Sequence, residues 1–395
     1  MVGGTGSEVD LQDPDKIVVK TKGASPALKT ANNPPQNAGS RPGLHMIKYK
    51  KNGLLAIASA ATLLSIIGCW SSSKNDVVSY TALDSQFSEP VFEAFTAETG
   101  VGVRPKFDTE STKTVGLANA ILAEAKRPRC DLFWNNEILN TLRLQKAGLL
   151  EAYNPPGAKK FPAAFRSPEG LWHGFAARAR VLIVNTDILP EDQRPTSIHD
   201  LADPKWRGRA AMAKPLFGTT ATHAACLFSV WGDEKAKEFF KNVKANDTKI
   251  LAGNKQVALS VAAGRVAWGM TDTDDAIIEL EAGRPVAIVY PDQGEGQPDA
   301  DDLGTLFIPN TIAIIRGSPN PQQARRLVDF LLSPQVEKML AAGPSAQIPL
   351  NPEVETSTRV KTPSQIKPMQ VDFNQAAEKW DAAAKFLRDE FATGK

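Results

Sequence analysis

The sequence predicts an α/β protein of two lobes, with mixed sheets carrying helices on both faces. Its 395 residues exceed one ordinary domain. From Val77 to Gly148 strand-like and helix-like segments alternate, the pattern of a mostly parallel sheet. Two irregular stretches, a Pro/Gly-rich one over 154–170 and an acidic, Gly-rich one over 292–304, interrupt that rhythm and divide the chain.

Each element has its own signal. Val77–Ala82 reads as a strand, Pro90–Thr99 as a helix closed by Gly100, and Val101–Phe107 as a second strand. A helix over Thr114–Ala125 leads to the strand Asp131–Trp134, and Glu137–Ala147 is a helix ended by Gly148. Arg180–Asn185 is a strand entering the second lobe. There the helix Glu234–Lys244 places Ala236, Phe239, Phe240 and Val243 on one face. Leu306–Pro309 and Ile312–Ile315 resume a buried sheet, followed by helices over Gln322–Leu332 and Gln335–Ala342. Near the end, Phe373, Ala377, Trp380, Ala384, Leu387 and Phe391 mark one packed helical face.

The formal charge of +2 conceals a basic leader. Residues 1–68 hold eight Lys/Arg and four Asp/Glu, leaving 38 basic against 40 acidic residues, a net −2, in the remainder. No basic run interleaved with aromatics occurs, so nucleic acid is not an expected partner. Residues 1–45 are polar and without apolar periodicity, expected to be disordered or to precede the true start at Met46. Lys48, Lys50 and Lys51, the apolar run Leu54–Ile67, and Gly68-Cys69 compose a secretory signal over 46–68. Its end, Ile66-Ile67-Gly68-Cys69, resembles a bacterial lipobox, which implies cleavage before Cys69 and lipid on its sulfur. Residues 69–76 are then the tether, and the expected location is exported and lipid-anchored. Only Cys130 and Cys226 remain beyond it, too few for a disulfide framework and without zinc spacing.

The densest chemistry lies at Thr271-Asp272-Thr273-Asp274-Asp275, between an apolar run ending at Met270 and a helical pattern from Ala276 to Leu280. Capping uses one or two such side chains, and here five stand in a row. The surplus points to ligand binding at the carboxyl end of a strand. On that reading Asp272→Asn weakens ligand binding and leaves unliganded stability almost unchanged. Pro215–His223 holds a Gly followed by hydroxyls at a helix start, a cradle for phosphate or carboxylate, with Thr219 or Thr220 as an ordinary N-cap the simpler reading. Asn254 begins another helix, and Lys113 and Thr114 a further one.

Several segments together resemble the extracellular solute-binding proteins of bacterial ABC importers, in the branch that contains ferric-ion-binding proteins. They are Asp131–Glu137, Ala147–Glu151, Ala179–Asn185, Asp203–Gly208, Asn254–Leu259 and Ala324–Ser333, in family order across about residues 77–350. The resemblance implies a type II periplasmic-binding-protein fold: two α/β lobes, 77–176 plus 306–395 and 177–305, joined by crossing strands near Gly174–Ala179 and Thr305–Pro309. It implies a ligand in a hinged cleft and closure that presents the loaded protein to a permease with its ATPase. A monomer is expected, and no catalysis, because no nucleophile and base pair is visible. Family members that bind iron hold it with adjacent tyrosines, and here Thr273 and Asp274 stand in those places. Asp84 stands where a His is frequent, and Asn136 where a carboxylate is, with Glu137 one step on. Tyr80, Tyr153 and Tyr290 are the only tyrosines after residue 68.

The predicted ligand-binding set is therefore Tyr80, Thr81, Asp84, Asn136, Glu137, Arg178, Thr219, Thr220, Asn254, Thr271, Asp272, Thr273 and Asp274. Asp84, Glu137, Asp272 and Asp274 are the hard oxygen donors open to a metal. Two cargoes fit: Fe³⁺ with a synergistic anion, carried as cargo and not as a cofactor, or a small phosphate- or phosphonate-bearing solute. The alternative is an enzyme on the same fold, a thiaminase-like transferase using a cleft Cys. Cys130 suits it poorly, because its setting is apolar and its neighbours acidic.

Overall fold

The computed structural model describes residues 75–108, 114–294 and 302–391, so the signal, Cys69, most of the tether and Lys113 lie outside the described residues. In chain order the elements begin β1 (Val77–Thr81), α1 (Ser85–Thr99), β2 (Val103–Phe107), α2 (Val115–Ala123), β3 (Leu132–Asn135), α3 (Leu139–Lys146) and β4 (Leu150–Glu151). The middle of the chain holds β5 (His173–Asn185), β6 (Ala210–Ala213), α4 (Gly218–Trp231), α5 (Asp233–Ala245), β7 (Lys249–Leu251), α6 (Asn254–Ala262), β8 (Trp268–Asp272), α7 (Thr273–Glu281) and β9 (Val286–Val289). It closes with β10 (Phe307–Ile315), α8 (Pro321–Leu331), α9 (Pro334–Ala342) and α10 (Phe373–Phe391).

The strands run in the order β2-β1-β3-β10-β5-β8-β6-β7, with β4 beside β10 and β9 beside β5. Parallel pairs sit at the two flanks, β1 with β2 and β3, and β6 with β7 and β8. The central pairs β3–β10, β10–β5 and β5–β8 are antiparallel. β5 is shared: residues 173–179 pair with β10, and Arg180–Val184 pair with β8. All thirteen of its residues are buried.

Alternation along these strands feeds two apolar clusters, as a twofold side-chain period requires. Phe133, Leu182 and Val184 join one, while Leu132, Trp134, Val181 and Ile183 join the other. Gly269 lets α6 press onto the sheet, because a Cβ there would lie 2.5 Å from Val257 and 2.8 Å from the Ala211 carbonyl.

The expected helix at Pro90 starts earlier, at Ser85, and Pro90 lies inside it, in the second turn, where it removes one i→i−4 hydrogen bond, that to the Gln86 carbonyl. In α10 the deepest small residues are Ala376 and Ala383, one position before the expected Ala377 and Ala384. This helix touches both parts of the molecule. Phe386 and Phe391 meet Phe228 and Phe240 of α4 and α5, at centroid distances of 6.0 and 6.3 Å, while Trp380 packs under Arg143 of α3.

Where β5 crosses, the backbone is irregular. Ala176 has φ +41°, and the β5–β10 register slips between Pro309 and Asn310. The buried Glu337 carboxylate accepts the backbone N–H groups of Ala176, Leu350 and Asn351 at 2.8–2.9 Å. Asn310 Nδ2 donates to the Ala176 carbonyl from the other side. The strained peptide is therefore held at both its polar groups.

Candidate functional site

Three strand-to-helix units build the site. β6, β7 and β8 are neighbours with a common direction, and each is followed directly by a helix, α4, α6 and α7. Their carboxyl ends therefore bring three helix N-termini to one place, the position open α/β sheets use for ligands. The N-cap residues are Phe217, Gly253 and Asp272, and none of them gives its helix a side-chain cap. The first-turn N–H groups of α4 and α6 keep their donor capacity and the positive end of the helix dipole, while in α7 Asp275 N–H donates to Asp274 Oδ1 at 3.2 Å. Gly218 opens α4 at φ +55°, a conformation that favours glycine. Thr219 and Thr220 thus lie inside the first turn, and the simpler reading of either as an N-cap does not hold.

The surrounding charges come in pairs. Arg178 and Arg180 are two apart on β5 and so project to the same face. Arg180 stands opposite Asp272 in the β5–β8 register, and its Nη1 lies 2.6 Å from Asp272 Oδ1. Arg178 Nη1 lies 2.8 Å from Asp274 Oδ2, with both side chains buried. Burial alone would lower the Arg178 pKa, but the carboxylates of Asp274, Asp272, Asp84 and Asp275 outweigh it and raise the value.

Arg180 organises a network under the pocket floor. It also donates to Thr219 Oγ1, Thr220 Oγ1 and Asn254 Oδ1, each at 3.2 Å. Asp272 Oδ2 accepts from Thr219 Oγ1 at 2.5 Å and Asn254 Nδ2 at 2.9 Å. Asp272 occupies the N-cap position of α7, yet its carboxylate serves Arg180 and the other two helix starts.

The resulting cavity, of about 30 Å³, is lined by Arg178, Lys214, Phe217, Gly218, Thr219, Thr220, Gly253, Asn254 and the three aspartates 272, 274 and 275. From just past the ends of β1 and β3 come Asp84 and Asn136. Buried Arg178 Nε and Asn136 Oδ1 have no hydrogen-bond partner among the described residues. A hollow of about 290 Å³ shares Asp84 and adds Thr81, Ser85, Gln86, Asp108 and Lys255. No tyrosine, histidine or cysteine lines either space among the described residues.

Of the predicted set, Asp84, Asn136, Arg178, Thr219, Thr220, Asn254, Asp272 and Asp274 thus converge on one cavity, and Thr81 lines the hollow beside it. Thr271 and Thr273 support it from behind. Thr271 Oγ1 donates to the Asn254 carbonyl, and Thr273 Oγ1 accepts from Ala179 N–H. Tyr80 is a correction. Its ring is buried and its hydroxyl donates to the Glu124 carboxylate at 2.9–3.0 Å, because strand alternation turns it from Thr81's face. Glu137 is another. Its carboxylate accepts from Leu139 N, Asn140 N, Asn135 Nδ2 and Thr222 Oγ1 at 2.6–3.0 Å, so it starts α3 and ties it to α4 instead of facing a metal.

Asp272, Asp274 and Asp275 can each place one carboxylate oxygen within 4.8 Å of the others. Two of these carboxylates already hold a guanidinium. Sequence reasoning missed Arg180, Lys214 and Lys255. Arg180 carried a signal, a charged residue two places after Arg178 at the head of the apolar run Val181–Val184.

A family described as bacterial extracellular solute-binding protein matches residues 136–379. The major ferric iron-binding protein of Neisseria meningitidis is 26% identical over 318 residues, covering 77% of this chain and 89% of that protein. Iron uptake protein A1 of Synechocystis is 24% identical over 291 residues, covering 72% and 79%. Among solved structures, iron-bound HitA from Pseudomonas aeruginosa superposes with a TM-score of 0.71 at 24% identity, covering 80% of this chain and 98% of that one. AfuA from Actinobacillus pleuropneumoniae, with fructose-6-phosphate bound, gives 0.71 at 23% identity, covering 82% and 100%. The family match spans most of the chain, and these structures share the two-lobed fold described above. The chain belongs to the bacterial extracellular solute-binding proteins, the components that supply solutes to ABC importers.

Proposed function

We propose that this protein captures a small organic phosphate or phosphonate whose other end carries hydroxyl or amine donors. One observation carries the reading: the N-termini of α4 and α6, without side-chain caps, open on the cavity where Arg178 and Arg180 already neutralise Asp274 and Asp272. An oxyanion placed there meets free N–H groups, Thr219 and Thr220 hydroxyls, Arg178 and Lys214. Asp84 and Asp275 then face the donor-bearing end, with the 290 Å³ hollow beside Asp84 to house it.

Iron with a synergistic anion is the second reading, favoured by the aspartate trio and by relatives named for ferric iron. A trivalent cation at Asp272 and Asp274 would have to displace two arginines that cannot deprotonate, and no phenolate is at hand. The name of AfuA's bound sugar phosphate supports the first reading. Calorimetry with 2-aminoethylphosphonate, glucose 6-phosphate and ferric citrate separates them. Micromolar binding of a phosphorus compound is expected, weakened in Arg178→Gln by roughly 1.5–3 kcal/mol, the range for a hydrogen bond to a charged group. Tight ferric binding with none by either phosphorus compound, or iron in freshly purified protein, would overturn this assignment.

The protein works as a receptor and not an enzyme. Cys130 and Cys226 are both buried, and burial pushes both thiols far up. Burial, assisted by Arg180, pushes His223 down to about 3, so it stays neutral and is a poor base. We place the protein outside the cytoplasm as a monomer, anchored by lipid on Cys69 and docking on a permease with its ATPase. Cys69→Ser should release it from the membrane fraction, and retention through a carbonate wash would exclude the anchor. Among the described residues, no helix is long and apolar enough to cross a membrane.

A further inference from the structure

A second cavity, of about 540 Å³, shares no lining residue with the cleft or its hollow. Its volume is in the ordinary range for small-molecule sites, about 300–1,000 Å³. The walls are a 3-10 turn with the segment after it, residues 163–168, and the loop 363–372, and the floor is apolar: Ile138, Trp172, Phe307, Met369 and Phe373 are all buried. Trp172 is fixed by its Nε1 donating to Gln145 Oε1 at 2.7 Å.

One cation stands in this apolar wall. Arg166 is part-buried, its Nε is sealed from solvent with no hydrogen-bond partner, and it forms no ion pair among the described residues. The single carboxylate of the lining, Asp372, is occupied at the start of α10, where Oδ1 accepts Asn374 N–H at 2.8 Å. A sealed Nε is out of a ligand's reach, but the two Nη groups make no hydrogen bond or ion pair among the described residues, and a carboxylate there would meet an uncompensated charge.

We propose that this cavity binds a small apolar carboxylic acid, its carboxylate on Arg166 and its hydrocarbon against Trp172, Phe307, Met369 and Phe373. Gln145 is engaged by Trp172 and Asp372 by the start of α10, and the charge of Arg166 selects an acid over an amine. The site is independent of what the cleft carries.

Octanoate is the probe, followed by titration calorimetry on the full chain, with octylammonium as the charge-reversed control. Saturable octanoate binding is expected, with none by octylammonium. Arg166→Gln should weaken it at least about tenfold, as the loss of a charged hydrogen bond requires. Ala164→Trp places an indole in the cavity from an exposed loop position and should abolish binding without altering the melting curve. Absence of octanoate binding, equal binding of octylammonium, or full affinity in Arg166→Gln would each overturn the assignment.

Discussion

Asp272→Asn removes one charge and almost no volume, and the structure assigns it a large effect. Arg180 is fully buried and Asp272 is 2% exposed, so neither charge can turn to water when the other is lost. Breaking a buried pair by removing one partner costs about 3–5 kcal/mol, since the remaining charge stays uncompensated. The new amide also points a donor at Arg180, Thr219 or Asn254, all of which already donate to Asp272. Urea unfolding without ligand, followed by far-ultraviolet circular dichroism, should show the midpoint falling by roughly 1 M or more. Arg180→Met combined with Asp272→Leu should recover most of that loss, because an apolar pair of similar volume has no desolvation penalty. This reverses the expectation from sequence, in which unliganded stability barely moved. A change below about 1 kcal/mol in Asp272→Asn, the scale of surface substitutions, would refute the argument.

Other outcomes follow from single groups. Burial pushes Asp292 up to about 6, with Asp302 and Asp200 adding to it and hydrogen bonds from Ser197 and Ile198 opposing. The folded state thus binds the proton more tightly than the unfolded one, and this group's contribution declines as pH rises from about 4 to 6. Asp292→Asn should therefore raise stability at pH 8 by about 2–3 kcal/mol and change nothing near pH 4, read from urea curves at both values. Glu337→Ala should cost about 3 kcal/mol or more, because three buried N–H groups lose their acceptor, and Glu337→Gln distinctly less. Small-angle scattering should show compaction on ligand addition, and an unchanged radius at saturation would count against hinge closure.

Local pattern made much of the fold legible. Strand alternation and helical periodicity located most of the elements, and the breaks at 154–170 and 292–304 fall just before β5 and β10. Oxygen donors at strand ends were legible for the same reason, since Asp272, Thr219 and Asn254 each stand where a helix begins. Their partners were not legible. Arg180 lies 92 residues before Asp272, and only the β5–β8 register brings them opposite each other. Tyr80 was misplaced by one step of alternation. Glu137 was misread because an acid after a strand looks alike whether it faces a ligand or the first turn of the next helix.

The arginines also join recognition to motion. Arg178 follows the strained Ala176 by two residues on the strand that both halves of the sheet share. Between them and the pocket, Ala179 N–H donates to Thr273 at the start of α7, and Arg178 pairs with Asp274 in the same turn. A rotation at Ala176 must then carry Arg178 with it or break those bonds. An anion that binds Arg178 together with the α4 and α6 N-termini favours the one arrangement in which all three face each other. Glu337 and Asn310 restrain the same residue from behind, so a rotation there would have to break their hydrogen bonds as well. A ligand that misses Arg178 can occupy the α4 side and still leave the strand unmoved. On the proposed function, closure would therefore depend on the charge that meets Arg178 more than on the number of contacts made.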